Sequence, residues 1–359
     1  MKVLVTKEVF EMSQHDFFDL EDSEEFVNQS SIRNMPSRRK AGDRKALPKT
    51  RRSTAQQAGA PLPADRREDF SFTYMASRHE REWIENSLVG FYDEHWLDDV
   101  LRLVQGGKEA HVYQCLANPS VPDLDQPFLA AKVYRPRKFR NLKNDAVYRQ
   151  GREHIDADGR VIREVGMLQS IAYKTAWGMQ LMHTSWIEHE VKAMRILHAA
   201  GADVPLCLAS GNNAILMSYC GDENTPAPML NSLELDSTEA HSLFQRVLHN
   251  IEILLSKGYV HGDLSAYNIL YWQGEITLID FPQVVDPHTN QDALPIFVRD
   301  VTRICEYFSR QGVRSNPVKL AHSMWAARGY QVIREVHPSL LNPDDRLDRQ
   351  YWKKASRKG

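Results

Sequence analysis

The chain has 359 residues, with 45 Lys+Arg against 47 Asp+Glu and a formal net charge of −2, a balance that excludes a whole-domain electrostatic footprint for nucleic acid. No apolar run approaches the roughly 18 residues of a membrane span, and the apolar stretch of Met1–Glu8 is too short for a secretory signal. Cys115, Cys207, Cys220 and Cys305 lie far apart without a Cys-x-x-Cys pair, which argues against a disulfide framework and a zinc ribbon and leaves a reduced, soluble, cytoplasmic protein with no membrane partner as the expectation.

The first 65 residues are charge-polarised. Glu11 to Phe26 holds seven acidic residues and no Lys or Arg, while Ser31 to Ala55 holds nine basic residues and a single acid, Asp43. Few aromatic or β-branched residues accompany the basic run, so residues 1–65 read as a disordered charged tail that cannot bury enough apolar surface to offset its ordering entropy. Such a tail either stays solvated or neutralises the phosphates of RNA or another polyanion. From Tyr74 to Ile84 helix formers carry one apolar face. Leu101–Val104, Gly106-Gly107 and His111–Leu116 read as strand, turn and strand, and Phe128–Tyr134 as a further strand ending at Pro136. Trp186 to Ala200 reads as an amphipathic helix stopped by Gly201, Ala214–Tyr219 as a strand, and Leu243 to Leu255 as a helix ending at Lys257-Gly258. Ile269–Trp272 and Ile276–Ile279 pair as a hairpin around Gln273-Gly274-Glu275, and Ile296 to Phe308 is a last helix. Strands first and helices later make an α+β chain of two lobes: residues 66–220, residues 221–335, and a basic C-terminal tail over residues 336–359.

Polar residues stand at the borders of these elements. Asp263 and Asn268, five apart on a loop between helix and hairpin, can face one site, the Asp orienting or deprotonating a hydroxyl and the Asn holding a divalent cation. Asp280 directly follows an apolar strand, where a metal-binding carboxylate would be rigidly presented. Lys132 inside the strand Ala130–Tyr134 is costly unless paired, and Glu190 on the following helix is its natural partner. The glycine turn at Gly106-Gly107 does not fit a Walker pattern, because Glu109 follows Lys108. Taken singly each has a bland reading: a hairpin turn, a snorkelling lysine, a solvated glutamate, a capping aspartate. Together they fall in the chain order that a protein kinase uses.

The loops also resemble the RIO family of atypical protein kinases, nearer its RIO1-like branch. Gly107-Lys108-Glu109-Ala110-His111-Val112-Tyr113, His261-Gly262-Asp263-Leu264-Ser265-Ala266-Tyr267-Asn268 and Ile279-Asp280-Phe281-Pro282-Gln283 are similar to three loops of that family. Gly221-Asp222 with Pro226-Ala227-Pro228-Met229-Leu230 is similar to the segment after its hinge. The resemblance implies a bilobal kinase-like fold, with a small β-rich N-lobe, a mostly helical C-lobe, and neither activation nor peptide-binding segments. It implies ATP in the cleft, contacted by Gly107, Lys108, Val112, Lys132, Glu190, Ser218 and Cys220, the last two offering hinge backbone groups. Asp263 would be the catalytic Asp, with Asn268 and Asp280 holding Mg²⁺ or Mn²⁺ and Asp280 a candidate for transient phosphorylation. The activity implied is that of a serine/threonine protein kinase or ATPase, on a protein substrate that the chain does not name. Relatives are tied to small-ribosomal-subunit maturation, so RNA or a ribosomal precursor is the further partner implied. The basic insertion over residues 135–185 (Arg135, Arg137, Lys138, Arg140, Lys143, Arg149, Arg152) reads as a solvated loop or a contact for RNA or an acidic partner. Two other readings remain: a small-molecule phosphotransferase, which shares the Asp-x4-Asn loop, and a nucleotide-sensing module with little turnover. Removing Lys132 is expected to weaken ATP use without unfolding the chain.

Overall fold

A computed structural model describes residues 70–330 except 123, 125, 136–146, 149 and 212, all within the unit Leu62–Gly359. The two expected tails lie outside the described residues, as do Arg137, Lys138, Arg140, Lys143 and Arg149 of the basic insertion.

Helix α1, Arg78–Asp93, begins where the Ser77 side chain accepts a hydrogen bond from the Glu80 N–H, four residues later than the apolar spacing suggested. Strands β1 (Leu97–Gly106), β2 (Ala110–Ala117) and β3 (Phe128–Tyr134) follow, then helices α2 (Val165–Ala172) and α3 (Ala176–Ala199), then β4 (Cys207–Gly211) and β5 (Ala214–Ser218). The five strands form an antiparallel sheet in the order β1-β2-β3-β5-β4, which puts β3 at its centre. Alternation along β3 sorts its side chains. Leu129, Ala131 and Val133 join the cluster with Ile84, Leu88 and Phe91 of α1, while Ala130 and Tyr134 join the cluster with Trp186, Val191 and Met194 of α3. Lys132 has the parity of the second group, so the strand's period of two aims it at the helix that carries Glu190. Each fully buried Leu or Val of this sheet contributes roughly 1.5–3 kcal/mol of transfer free energy.

The second half of the described chain is mainly helical. Helix α4 (Ser237–Ser256) is capped by Asp236, which accepts from the N–H groups of Thr238 and Glu239. Strands β6 (Ile269–Trp272) and β7 (Glu275–Leu278) form a hairpin around Gln273-Gly274, both with positive φ, 51° and 89°. Helices α5 (Ala293–Arg310) and α6 (Pro317–Ala327) complete it, the second capped by Asn316 with Pro317 in its first turn. This is the α+β arrangement expected, with a β-rich N-terminal lobe and a helical C-terminal one. Among the described residues no helix is long and apolar enough to cross a membrane, and all four cysteines are free.

Three elements are absent from the sequence reading. Strand β4, Cys-Leu-Ala-Ser-Gly, has no alternation and exists because β5 offers it an edge. Helix α6 went unassigned. The stretch expected as a basic loop ends in helix α2 and the first ten residues of α3, which begins at Ala176 rather than Trp186. Gly178 is required in that extra length. A Cβ there would lie 1.9 Å from the Ser170 carbonyl oxygen, where α2 crosses α3.

Candidate active site

Lys132 pairs across the sheet with Val112 on one side and Ile215 on the other. Its Nζ donates to Glu190 Oε1 at 2.6 Å and to Asp280 Oδ1 at 2.7 Å. The Tyr134 hydroxyl donates to the other Glu190 oxygen, and the Phe281 N–H reaches Glu190 Oε1 at 3.4 Å. Lys132 is 8% exposed and Glu190 1%. Burial alone would lower the lysine pKa, but the two carboxylates outweigh it and hold the ammonium charged. Burial pushes the Asp280 carboxyl up, and the charge and hydrogen bond of Lys132 bring it below the usual range. This burial revises the expectation that Lys132 can be removed without loss of stability, since truncation would strand its carboxylate partners.

Asp263 stands on a second loop. Its Oδ1 accepts from Arg303 Nη1 at 2.7 Å, and Asn268 Nδ2 donates to the Asp263 carbonyl at 2.9 Å and reaches its Oδ2 at 3.4 Å. Both partners of the Arg303–Asp263 pair are more than a third exposed. Ile279, the residue before Asp280, joins the two loops. Its N–H donates to the Asn268 carbonyl at 3.0 Å, and its carbonyl lies 3.1 Å from His261 Nε2. Because His261 Nδ1 accepts the Asp263 N–H at 3.3 Å, the network assigns the proton to Nε2. Gly262 has φ +87°, and a Cβ there would meet the Gln283 carbonyl oxygen at 2.1 Å, so only glycine lets the loops pass this close. Asp280 itself has φ +72°, in the left-handed region that Asp tolerates better than most side chains.

The structure therefore brings together Lys132, Glu190 and Asp280 in one contact set, Asp263 and Asn268 in a second, and binds the sets through Ile279. Val112 lies in register with Lys132. Gly107 makes a tight turn, its absent Cβ 2.7 Å from the Ala110 carbonyl oxygen. Lys108 is exposed on that turn and forms no hydrogen bond or ion pair among the described residues. At the segment after β5, the Ser218 N–H donates to the Leu206 carbonyl at 2.9 Å, and the Cys220 carbonyl accepts from the Ala227 N–H at 3.0 Å. Those two groups are engaged within the fold, which narrows the expected hinge contacts to the Ser218 carbonyl and the Cys220 N–H.

Four contributors escaped the sequence reading. Asp300, 2% exposed, accepts the Gly262 N–H at 2.8 Å and an Arg299 N–H at 3.0 Å, and burial pushes its carboxyl up. Its signal was available, because it occupies the apolar stripe of Phe297, Val301 and Ile304 on α5. Arg299 also donates to the Gly262 carbonyl and, at 3.0 Å, to the Tyr148 hydroxyl. Arg152 donates to the Pro282 carbonyl at 2.9 Å and to that of Val284, so the described end of the insertion packs on the loop after Asp280. Arg303 lies half-buried at the edge of the apolar stripe of α5 and carries no signal of its own.

The oxygen donors suit a hard divalent cation. Among the described residues, Asn268 Oδ1 and the second Asp280 oxygen accept no hydrogen bond, and no group of three or more His, Cys, Asp or Glu is arranged to hold a metal ion. Two protein oxygens fit a small cation that keeps waters and takes its other ligands from phosphate.

Comparison with known proteins places the chain in a family. The family model described as RIO domain matches residues 112–320, more than half of the chain. The serine/threonine-protein kinase RIO3 of Bos taurus is 32% identical over 130 residues, 36% of this chain and 25% of that protein. The serine/threonine-protein kinase RIO1 of Chaetomium thermophilum is 26% identical over 261 residues, covering 69% of this chain and 46% of the relative. The RIO-type serine/threonine-protein kinase Rio1 of Haloferax volcanii is 26% identical over 209 residues, 58% of this chain and 63% of the relative. The chain thus spans less than two thirds of each of these relatives.

Proposed function

The chain belongs to the RIO domain family, and from that premise we propose that it is an ATP-dependent serine/threonine kinase or ATPase working with Mg²⁺ (or Mn²⁺). It would move the terminal phosphoryl group to a protein hydroxyl, to itself or to water. The observation that carries this reading is the contact of Lys132 with both Glu190 and Asp280, which gathers a strand lysine, a helix glutamate and a strand-end aspartate from three distant parts of the chain. Lys132, fixed by Glu190, presents a charged ammonium to phosphate oxygens. Asp263, its loop held by His261, Gly262 and Asn268, would orient the attacking hydroxyl and take its proton. Asn268 and Asp280 would hold the cation, which when bound would neutralise charge on the phosphates. The hinge would use the Ser218 carbonyl and the Cys220 N–H. A protein substrate belongs to this proposal. So does an RNA or ribosomal-precursor partner, whose support is the basic residues Arg137, Lys138, Arg140 and Lys143, outside the described residues.

Radiolabelled ATP tests it. Wild-type protein with Mg²⁺ should release phosphate or label itself, and Asp263→Ala should lower that rate by about 10²–10⁴-fold, with Asp280→Ala comparably inactive. Tight nucleotide binding by the wild type without turnover would favour the sensing module instead.

A further inference from the structure

Phosphoryl transfer places negative charge on the equatorial oxygens of the moving group, beside whichever carboxylate orients the nucleophile. At Asp263 that carboxylate repels the phosphoryl group, and a side-chain cation within reach of both would add to the screening by the divalent ion that Asn268 and Asp280 would hold. The loop supplies none of its own: Leu264, Ser265, Ala266 and Tyr267 separate Asp263 from Asn268. Lys132 is engaged by Glu190 and Asp280. Arg299 is engaged by the Gly262 carbonyl, Asp300 and Tyr148.

Arg303 differs from both. One turn beyond Arg299 on α5, it touches Asp263 Oδ1 through Nη1 at 2.7 Å, and among the described residues that is its only polar partner. Its side chain is 40% exposed, and a guanidinium has five N–H donors in a planar fork. Most of that fork is unspent and sits beside the carboxylate where the terminal phosphoryl group must arrive.

We propose that Arg303 is a binding residue for the terminal phosphoryl group: it holds Asp263 when the site is empty of nucleotide and shares its fork with the γ-phosphoryl oxygens when ATP is present. The inference rests on the reading of the cleft as an ATP site. It makes Arg303 a discriminator between triphosphate and diphosphate, because only the triphosphate carries the group that meets it. A merely structural Arg303 would treat the two alike.

The test is calorimetric titration of the full chain, with Mg²⁺, using ADP and the non-hydrolysable β,γ-imido analogue of ATP. Arg303→Met should weaken the triphosphate analogue by about tenfold while ADP affinity stays within about twofold, the range for losing one charge-assisted contact. Arg303→Lys, which keeps a cation at an exposed position, should retain most of the discrimination. An analogue-to-ADP affinity ratio in Arg303→Met equal to the wild-type ratio overturns the role of Arg303 and leaves the ATP site standing. Failure of the wild type to bind either nucleotide takes down both.

Discussion

The two halves of the site are built to opposite specifications. In the Lys132–Glu190–Asp280 half, Lys132 and Glu190 are buried against the central strand and α3, the Asp280 side chain stays more than a third exposed, and each ionised group has an ionised partner. The Asp263–Asn268–Arg303 half is more than a third exposed at its ion pair, and its order comes from backbone hydrogen bonds to His261, Ile279 and Asp300. In the first, side-chain charges hold each other in place and are therefore structural. In the second, the scaffold holds the loop and leaves the carboxylate of Asp263, the proposed proton acceptor, in an exposed ion pair with Arg303. The same residue types can thus be indispensable to folding in one half and dispensable in the other.

The largest test of that contrast is Lys132→Met. Removing one partner of a buried ion pair leaves uncompensated charge, so this change should cost about 3–5 kcal/mol of unfolding free energy in a denaturant titration. A loss under about 1 kcal/mol would show that the buried half relaxes or admits water as readily as the open one.

Legibility in the sequence divides along the same line. The buried half was readable, because an ammonium inside Ala130–Tyr134 demands a carboxylate and the helix at Trp186–Ala200 supplied Glu190. The loops of the open half were readable by their resemblance and by Asp-x4-Asn spacing. What held those loops was harder to see. Asp300 could have been found as a carboxylate in an apolar helical stripe, whereas Arg303 and Arg152 act across 40 and 130 residues of sequence and leave no local pattern. Strand β4 and helix α6 likewise depend on tertiary partners rather than on periodicity. The tight passage at Gly262 could be seen only once Gln283 was placed against it.

Acidification offers a smaller probe of the buried half. His189, next to Glu190 on α3, lies 2.8 Å from the Glu153 carbonyl through Nε2, which ties α3 to the segment that carries Arg152. Burial lowers its imidazole to about 4, with Arg152, Lys192 and His154 pushing the same way against the hydrogen bond to Glu153. The folded value lies below the unfolded one of about 6.5, so the unfolded chain binds more protons as pH falls. The contribution is therefore present above pH 6.5 and lost between there and pH 4, the window set by the unfolded and folded values. Discounted for partial exposure, the loss between pH 7 and 5 should be about 1 kcal/mol. His189→Gln keeps a donor for Glu153 and should flatten that slope; an unchanged slope would assign it to another group.

The smallest effect on stability, and the sharpest separation of the halves, is expected from Asp263→Asn. The side chain is nearly isosteric, and what it loses is an exposed ion pair with Arg303, worth at most about 1 kcal/mol. The loop does not depend on that carboxylate, because the backbone N–H of Gly262 and the backbone groups of Asp263 and Ile279 make the tethering bonds. Unfolding midpoints should therefore nearly coincide with wild type while phosphoryl transfer falls by about 10²–10⁴-fold. If Asp263→Asn instead unfolds as early as Lys132→Met, the exposed carboxylate is itself a structural charge and the two halves share one design. If it folds and turns over normally, proton acceptance lies elsewhere, and the open half serves only to position the loop that carries Asn268.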